Sequence, residues 1–224
     1  QKLGTIKFMD PACGCGNFII VAYRELRDLE LAIMERLADL TSQEPQLLAN
    51  VGLQVRLDNF YGIEIDEWPA RIAETAMFLV DRQCDLKMED RLGLTIDRLP
   101  LHTKAKIIVA NALRMDWARE LPPSPEVVIA GNPPFLGISL RSEAQTADLQ
   151  QVWGTGYHGT LDYVTGWYAK AVDYFGDIDG LWAFVSTSSV TQGEGVAPLF
   201  DRVLGAGHER GAGERQHAGE LPAS

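Results

Sequence analysis

An asparagine, two prolines and a phenylalanine follow one another at Asn132, Pro133, Pro134 and Phe135, and together they are well suited to chemistry. The prolines stiffen the turn and lack N–H donors, so the Asn132 side chain and the Pro133 carbonyl are held as acceptors for an amino group with two hydrogens. Phe135 offers a flat face on which an extruded base could stack, a contact worth roughly 1 to 3 kcal/mol. The alternative is a structural turn with a core phenylalanine.

A second candidate site is the turn of small residues at positions 10–17, with the sequence DPACGCGN. Gly14 and Gly16 let the backbone turn tightly and approach a ligand where a side chain would clash. Ligands of open α/β sheets bind outside the carboxyl ends of the strands, and this turn follows a predicted strand. The spacing differs from the dinucleotide-binding pattern G-x-G-x-x-G, which disfavours a phosphate ligand. An ordinary strand-to-helix turn would also explain the glycines.

Two further polar residues follow apolar stretches. Glu64 lies in YGIEID, where its carboxylate could accept hydrogen bonds from both ribose hydroxyls of a nucleoside. Asn111 lies in VANALRMDW, where its amide could bind the edge of an adenine ring. Each has a structural alternative, since Glu64 or Asp66 could begin a helix and Asn111 could cap the next turn.

Segments of strand length alternate with helical patterns along the chain. Strands are predicted at TIKFMD, NFYGIEI, KIIVANA, EVVIAGNPPF and GLWAFVSTSS. Helices are predicted from about Asn17 to Leu40, at WPARIAETAMFLVDRQ with Pro69 in its first turn, and at LDYVTGWYAKAVDYF. This alternation predicts an α/β fold, a mainly parallel sheet with helices on both faces.

The composition limits the class of protein. With 224 residues, 46% of them hydrophobic, the chain can bury one substantial core. Three cysteines and four scattered histidines give neither a disulfide framework nor zinc-ligand spacing, so no metal is predicted. No apolar run approaches the roughly 18 to 20 residues that span a bilayer, and no signal peptide opens the sequence, so we expect a cytoplasmic protein without a membrane partner.

The character of the sequence changes near residue 200. Residues 201–224 are rich in Gly, Ala, His, Glu and Arg and carry few large apolar side chains. Such a segment buries too little apolar surface to offset the entropy lost on ordering. We therefore predict a catalytic core over residues 1–200, which is partial, and a disordered or loosely attached low-complexity tail over residues 201–224.

Taken together, these motifs resemble those of class I S-adenosyl-L-methionine-dependent methyltransferases, specifically the enzymes that methylate amino groups in DNA, whose motif I reads like DPACGSG and whose motif IV is NPPF or NPPY. The segments DPACGCGNF, FYGIEIDEWPARIAE, NALRMDW, GNPPFLG, LDYVTGWYAKA and FVSTSSVTQGE look like the type IIL, MmeI-like restriction-modification enzymes over about residues 5–195. Those enzymes join an endonuclease, a gamma-class adenine methyltransferase and a target-recognition domain. The resemblance implies a Rossmann-like sheet of seven strands, and since five are recognisable, we expect it to be incomplete at its C-terminal strands.

The resemblance also implies roles for the candidate residues, with S-adenosyl-L-methionine as cofactor. Its methionine moiety would lie against Asp10, Ala12, Cys13, Gly14 and Gly16. Glu64 would hold the ribose, Ile65 would pack on the adenine ring, and Asn111 would stand where an aspartate usually bonds the adenine amine. In the NPPF turn that includes Pro134, Asn132 and the Pro133 carbonyl would hold the 6-amino group of an extruded DNA adenine, and Phe135 would stack on that base.

The formal net charge of -11 argues against DNA binding by this chain alone, because affinity for DNA comes largely from lysine and arginine. We therefore expect DNA to bind mainly through a recognition domain absent from the chain. Two alternatives stay open: a methyltransferase acting on RNA adenine or guanine or on protein glutamine, and a non-catalytic truncated remnant. A nicotinamide-dependent dehydrogenase fits less well, because G-x-G-x-x-G is missing and NPPF is present.

Overall fold

Five strands form one parallel sheet in the computed structural model, which describes residues 2–41, 53–93 and 104–208. The strands are β1 (Lys7–Asp10), β2 (Phe60–Glu64), β3 (Lys106–Val109), β4 (Val127–Gly131) and β5 (Leu181–Phe184). Their order across the sheet is β3-β2-β1-β4-β5. Each strand lies within a segment predicted to be a strand, and the predicted α/β fold class is confirmed.

Six α-helices accompany the sheet within the described ranges. They are α1 (Asn17–Thr41), α2 (Glu67–Leu92), α3 (Trp117–Glu120), α4 (Glu143–Trp153), α5 (Thr165–Phe175) and α6 (Val196–His208). The sequence predicts α1, α2 and α5, although α2 continues past its predicted end to Leu92. The other three are found only in the structure. Across the described part of the chain, none of the helices has the length and apolarity that a membrane crossing requires.

The strand order reverses beside β1. From β1 the chain moves outward through β2 to β3, then crosses back to β4 on the other side of β1 and continues to β5. Both β2 and β4 pair with β1 in parallel, with Phe8 opposite Phe60 on one side and Val128 on the other. Loops that leave the sheet in opposite directions open a crevice at the carboxyl ends of the strands, where ligands of such sheets bind.

Helices pack on both faces of the sheet because successive residues of a strand point to opposite faces. Phe8 is buried in a cluster with side chains of α1 and α2, namely Ile19, Tyr23, Met77 and Val80. Its neighbour Met9 is buried in a second cluster, on the other face, with Leu113, Trp117, Trp167 and Tyr174. The sheet therefore has a core on each side, as expected for a parallel sheet.

Helix α6 crosses the boundary predicted at residue 200. Leu199 is buried against Leu161 and Val164, and Val203 packs on the same cluster. Arg202 pairs with Asp173 of α5, with 2.8 Å between Nη2 and Oδ2. The helix continues to His208, eight residues past the predicted boundary, and the rest of the predicted tail, 209–224, lies outside the described residues. Between β5 and α6 the chain forms a 3-10 turn, Ser188–Thr191.

A buried arginine joins α1 to α2. Arg27 is 1% exposed, and its Nη2 donates to Asp85 Oδ1 at 2.8 Å while its Nη1 donates to Asp81 Oδ1 at 3.2 Å. Glu30 lies 3.4 Å from Arg27 Nε and accepts the N–H of Val55 at 3.2 Å. One guanidinium therefore balances carboxylates from both helices and fixes the chain that leads into β2.

Replacing Arg27 by leucine is expected to lower the free energy of unfolding by about 3 to 5 kcal/mol. The change keeps an apolar stem but leaves Asp85 and Glu30, each 4% exposed, as buried carboxylates without the guanidinium. Urea denaturation measures the loss. Arg71→Leu is the matched control, because Arg71 also pairs with two carboxylates but is 56% exposed. Equal losses in the two variants would contradict the structural role of Arg27.

Candidate active site

A cavity of about 680 Å³ lies at the carboxyl ends of β1 to β4, next to the reversal of strand order. This volume is in the range of small-molecule sites. Six of the twelve predicted site residues line it: Ala12, Glu64, Ile65, Asn111, Asn132 and Pro134. The other six, Asp10, Cys13, Gly14, Gly16, Pro133 and Phe135, are not among its lining residues. Residues that the sequence did not single out complete the wall, among them Arg114, Asp148, Tyr163 and Trp167.

The turn after β1 is shaped by backbone contacts. The N–H of Cys13 donates to the carbonyl of Ile63 in β2 at 3.0 Å. Gly16 has φ +90° and packs on α2, where a Cβ on it would lie 3.1 Å from Cβ of Ala73. Burial raises the pKa of the Cys13 thiol well above its ordinary value, so this cysteine stays a protonated packing group. Cys13 and Gly16 therefore support the cavity from behind its wall.

Glu64 joins the end of β2 to this turn. Its Oε2 accepts the N–H of Gly14 at 2.9 Å, and its Oε1 accepts the N–H of Asp66 at 3.0 Å. A carboxylate has about four acceptor positions, so these bonds leave acceptor capacity on a residue that lines the cavity. Asp66 occupies the N-cap position of α2 without a side-chain capping bond. The helix-cap alternative therefore applies to the position of Asp66 and not to Glu64.

Asn111 is held at both ends of its amide. Its Oδ1 accepts the N–H of Leu113 at 2.9 Å, which is the turn cap that the sequence left open. Its Nδ2 donates to Asp148 Oδ2 at 2.8 Å, and the residue also lines the cavity. Turn capping and a place in the cavity wall are thus compatible.

The NPPF turn continues from β4 and is anchored one residue later. The N–H of Leu136 donates to Asp162 Oδ1 at 3.0 Å, and the N–H of Tyr163 donates to the carbonyl of Leu136 at 3.1 Å. Asn132 is exposed, and Phe135 exposes 46% of its surface. Phe135 is therefore not the core phenylalanine of the structural alternative, and its ring is accessible.

Two aromatic residues of the α5 region fix the floor of the cavity. Trp167 is buried and donates its indole N–H to the carbonyl of Pro11 at 2.9 Å. Tyr163 packs edge to face on Trp167, with ring centroids 5.3 Å apart. These contacts hold the first turn against α5. Over the described residues, no three His, Cys, Asp or Glu side chains are grouped so that they could hold a metal ion.

Asp10, at the end of β1, is 1% exposed and lies against β4. Its Oδ1 accepts the N–H of Ala12 at 3.0 Å and occupies the place that a Cβ on Gly131 would need. Burial raises the pKa of Asp10 to about 7, and the charge of Glu64 adds to the rise, while the Ala12 hydrogen bond opposes it. The carboxyl group thus fills the gap between β1 and β4 and titrates near neutrality.

The raised pKa predicts a pH-dependent stability that Asp10→Asn removes. Between the ordinary value of 3.8 and about 7 this group binds more protons in the folded state than in the unfolded state, so its contribution to wild-type stability falls as pH rises through this window. The slope from this group is at most about 1.4 kcal/mol per pH unit. Urea denaturation at several pH values should show the stability of Asp10→Asn rising relative to wild type across the window. A constant difference between the two proteins would contradict the prediction.

Comparisons with known proteins indicate the family of this chain. The family model described as MmeI, DNA-methyltransferase domain, matches residues 1–215. DNA methyltransferase A of Bacillus subtilis (strain 168) is 36% identical over 207 residues, which are 91% of this chain and 23% of that protein. Adenine-specific methyltransferase BrxX of Escherichia coli O9:H4 (strain HS) is 33% identical over 107 residues, which are 48% of this chain and 8% of that protein.

Solved structures extend the comparison. The type IIL restriction-modification enzyme MmeI in complex with DNA matches with a TM-score of 0.84 and 42% identity, over 92% of this chain and 28% of that one. The DrdV-DNA complex matches with a TM-score of 0.53 and 17% identity, over 90% of this chain and 19% of that one, which is a likeness of fold alone. The chain thus spans about a quarter of the length of DNA methyltransferase A and of MmeI. By the extent of the family match, the chain belongs to the MmeI DNA-methyltransferase domain family.

Proposed function

We propose that this chain transfers a methyl group from S-adenosyl-L-methionine to the 6-amino group of adenine in DNA, as part of a restriction-modification system. The observation that carries the proposal is one cavity whose wall includes Glu64 and Asn111 from one side of the strand reversal and Asn132 from the other. In this proposal, the cofactor site and the acceptor for an amino group open into the same space. Membership of a DNA-methyltransferase family supports the reaction class.

The chemistry of the wall fits the proposed cofactor. Glu64 lines the cavity with acceptor capacity for ribose hydroxyls. Ile65 is 61% exposed and lines the same cavity, so its side chain offers an apolar surface for a purine ring. Gly14 has φ +53° and nothing within 4 Å of the position of a Cβ, which leaves room beside the turn. When bound, the cofactor would supply a methyl group on a sulfonium centre.

The NPPF turn is proposed to hold the target base. The exposed Asn132 side chain and the Pro133 carbonyl would accept the two amine hydrogens, which directs the nitrogen lone pair toward the methyl group. Phe135 would stack on the base through its exposed ring. Positioning and hydrogen bonds would then supply most of the acceleration, since the nitrogen displaces the sulfur directly.

DNA is proposed to bind mainly outside this chain. The net charge of -11 gives little attraction to phosphates. The MmeI structure that matches here is a complex with DNA, of which this chain covers 28%. The relative BrxX, which is named an adenine-specific methyltransferase, matches about half of this chain. Its name supports adenine as the acceptor.

Asn132→Ala is expected to abolish methyl transfer while leaving cofactor affinity within about twofold, because the lost amide would contact the target amine and not the cofactor. Transfer is measured with methyl-labelled cofactor on duplex DNA that contains adenine, and affinity by calorimetry. Gln83→Ala is the control, since it removes an exposed amide on α2. A variant that methylates at the parental rate would contradict the proposed role of Asn132. Parental transfer to RNA or to a protein glutamine, but not to DNA, would favour the alternative acceptors.

Glu64→Gln is expected to weaken binding of S-adenosylhomocysteine by about ten- to a hundredfold, because hydrogen bonds to a charged acceptor contribute roughly 1.5 to 3 kcal/mol. The amide can still accept from Gly14, so the turn should stay intact, and thermal unfolding checks this. NAD is the control ligand and is titrated in the same way. Wild-type binding of NAD alone would favour a dehydrogenase, and binding of neither ligand would favour a remnant without a working pocket.

A further inference from the structure

The Asn111 amide has one allowed orientation. Its oxygen accepts from the Leu113 N–H, and its nitrogen donates to the Asp148 carboxylate. A backbone N–H can only donate and a carboxylate can only accept, so turning the amide over would replace two attractive contacts with two repulsive ones. The Leu113 N–H thus fixes the oxygen end of the Asn111 amide, and Asp148 fixes its nitrogen end.

Asp148 is itself held firmly in the cavity wall. It is 4% exposed, and its Oδ1 lies 2.5 Å from Arg114 Nε. The Tyr163 hydroxyl donates to its Oδ2 at 3.4 Å. Burial and the nearby Asp148 charge raise the pKa of Tyr163 to about 12, so this hydroxyl remains a donor at neutral pH. The carboxylate therefore has fixed partners on both oxygens.

We infer that Asp148 is a positioning residue for cofactor selection. By orienting Asn111 it would leave the second lone pair of the amide oxygen as an acceptor in the cavity wall. An acceptor at this place favours a purine whose edge carries an amino group, such as adenine, and disfavours one that carries a carbonyl oxygen, such as hypoxanthine. The inference rests on the proposed function, because it assumes that the cavity binds S-adenosyl-L-methionine.

Paired titrations with S-adenosylhomocysteine and S-inosylhomocysteine test the role of Asp148. The wild-type chain is expected to prefer the adenine compound by at least about tenfold, which corresponds to about 1.4 kcal/mol. In Asp148→Asn the new amide can bond either end of Asn111, and only the Leu113 N–H still opposes the turned-over amide, so the preference should fall by at least about threefold. Glu143→Gln makes the same charge change at an exposed position of α4 and should keep the wild-type preference.

An exchange of the two residues gives a second test. Asn111→Asp alone would bring two carboxylates together where the wild-type contact is 2.8 Å, so it should weaken binding of S-adenosylhomocysteine and lower the melting temperature. In Asn111→Asp combined with Asp148→Asn, one carboxylate and one amide face each other again. The double variant should recover binding and also the preference for adenine, because a carboxylate at residue 111 presents an acceptor oxygen in either orientation and needs no orienting partner.

The outcomes separate the inference from the proposed function. A reduced preference in Asp148→Asn and its recovery in the double variant support the role of Asp148. Unchanged preference in Asp148→Asn, with binding of both compounds reduced equally or not at all, would overturn that role while leaving cofactor binding established. A wild-type chain that binds neither compound would overturn the proposed function and the inference together.

Discussion

Strands β2 and β4 lie on opposite sides of β1, and this reversal of strand order is the constraint on which the site depends. It sends the loops after β1 and β4 in different directions and opens the crevice between them. At the end of β1 the carboxyl group of Asp10 fills the space that a side chain at residue 131 of β4 would need, so glycine fits at that position. Burying a charged carboxylate costs free energy. The pKa of Asp10 is therefore raised, and folding favours its protonated form.

Much of the fold could be predicted because the strands are apolar segments separated by strong helical patterns. The strands and the two longest helices have this character. Helix α4 could not be predicted in the same way, since its sequence EAQTADLQQVW is mostly polar and only Asp148, Leu149 and Trp153 are buried. The start of α4 could in principle be predicted from the sequence, because Ser142 and Gln145 form a capping box. Helix α6 was not predicted, because the Gly- and Ala-rich composition of this segment does not indicate that Leu199 is buried in a cluster.

The candidate site was predictable only where a residue follows its own strand. Glu64 ends β2, Asn111 lies two residues after β3, and Asn132 directly follows β4, so strand order alone places them at one edge. Asp148 and Trp167 reach the cavity through contacts with residues 37 and 156 positions away, Asn111 and Pro11, and no local pattern encodes such distances. Several predicted residues of the first turn act indirectly. Cys13 and Gly16 shape the backbone that presents Ala12, although neither lines the cavity.

The asparagine at position 111 gains a physical explanation from its neighbour. An aspartate there would place a second carboxylate in contact with Asp148, whose charge is already balanced by Arg114. A neutral amide keeps this part of the wall without unbalanced charge, yet it still presents an oxygen as acceptor. Among the described contacts, Glu64 is then the acidic residue of the cavity wall that has no basic partner. Its carboxylate accepts hydrogen bonds from the backbone N–H groups of Gly14 and Asp66. Recognition of a ribose and recognition of a purine edge would thus use acceptors of different charge, which separates the two ends of a nucleoside.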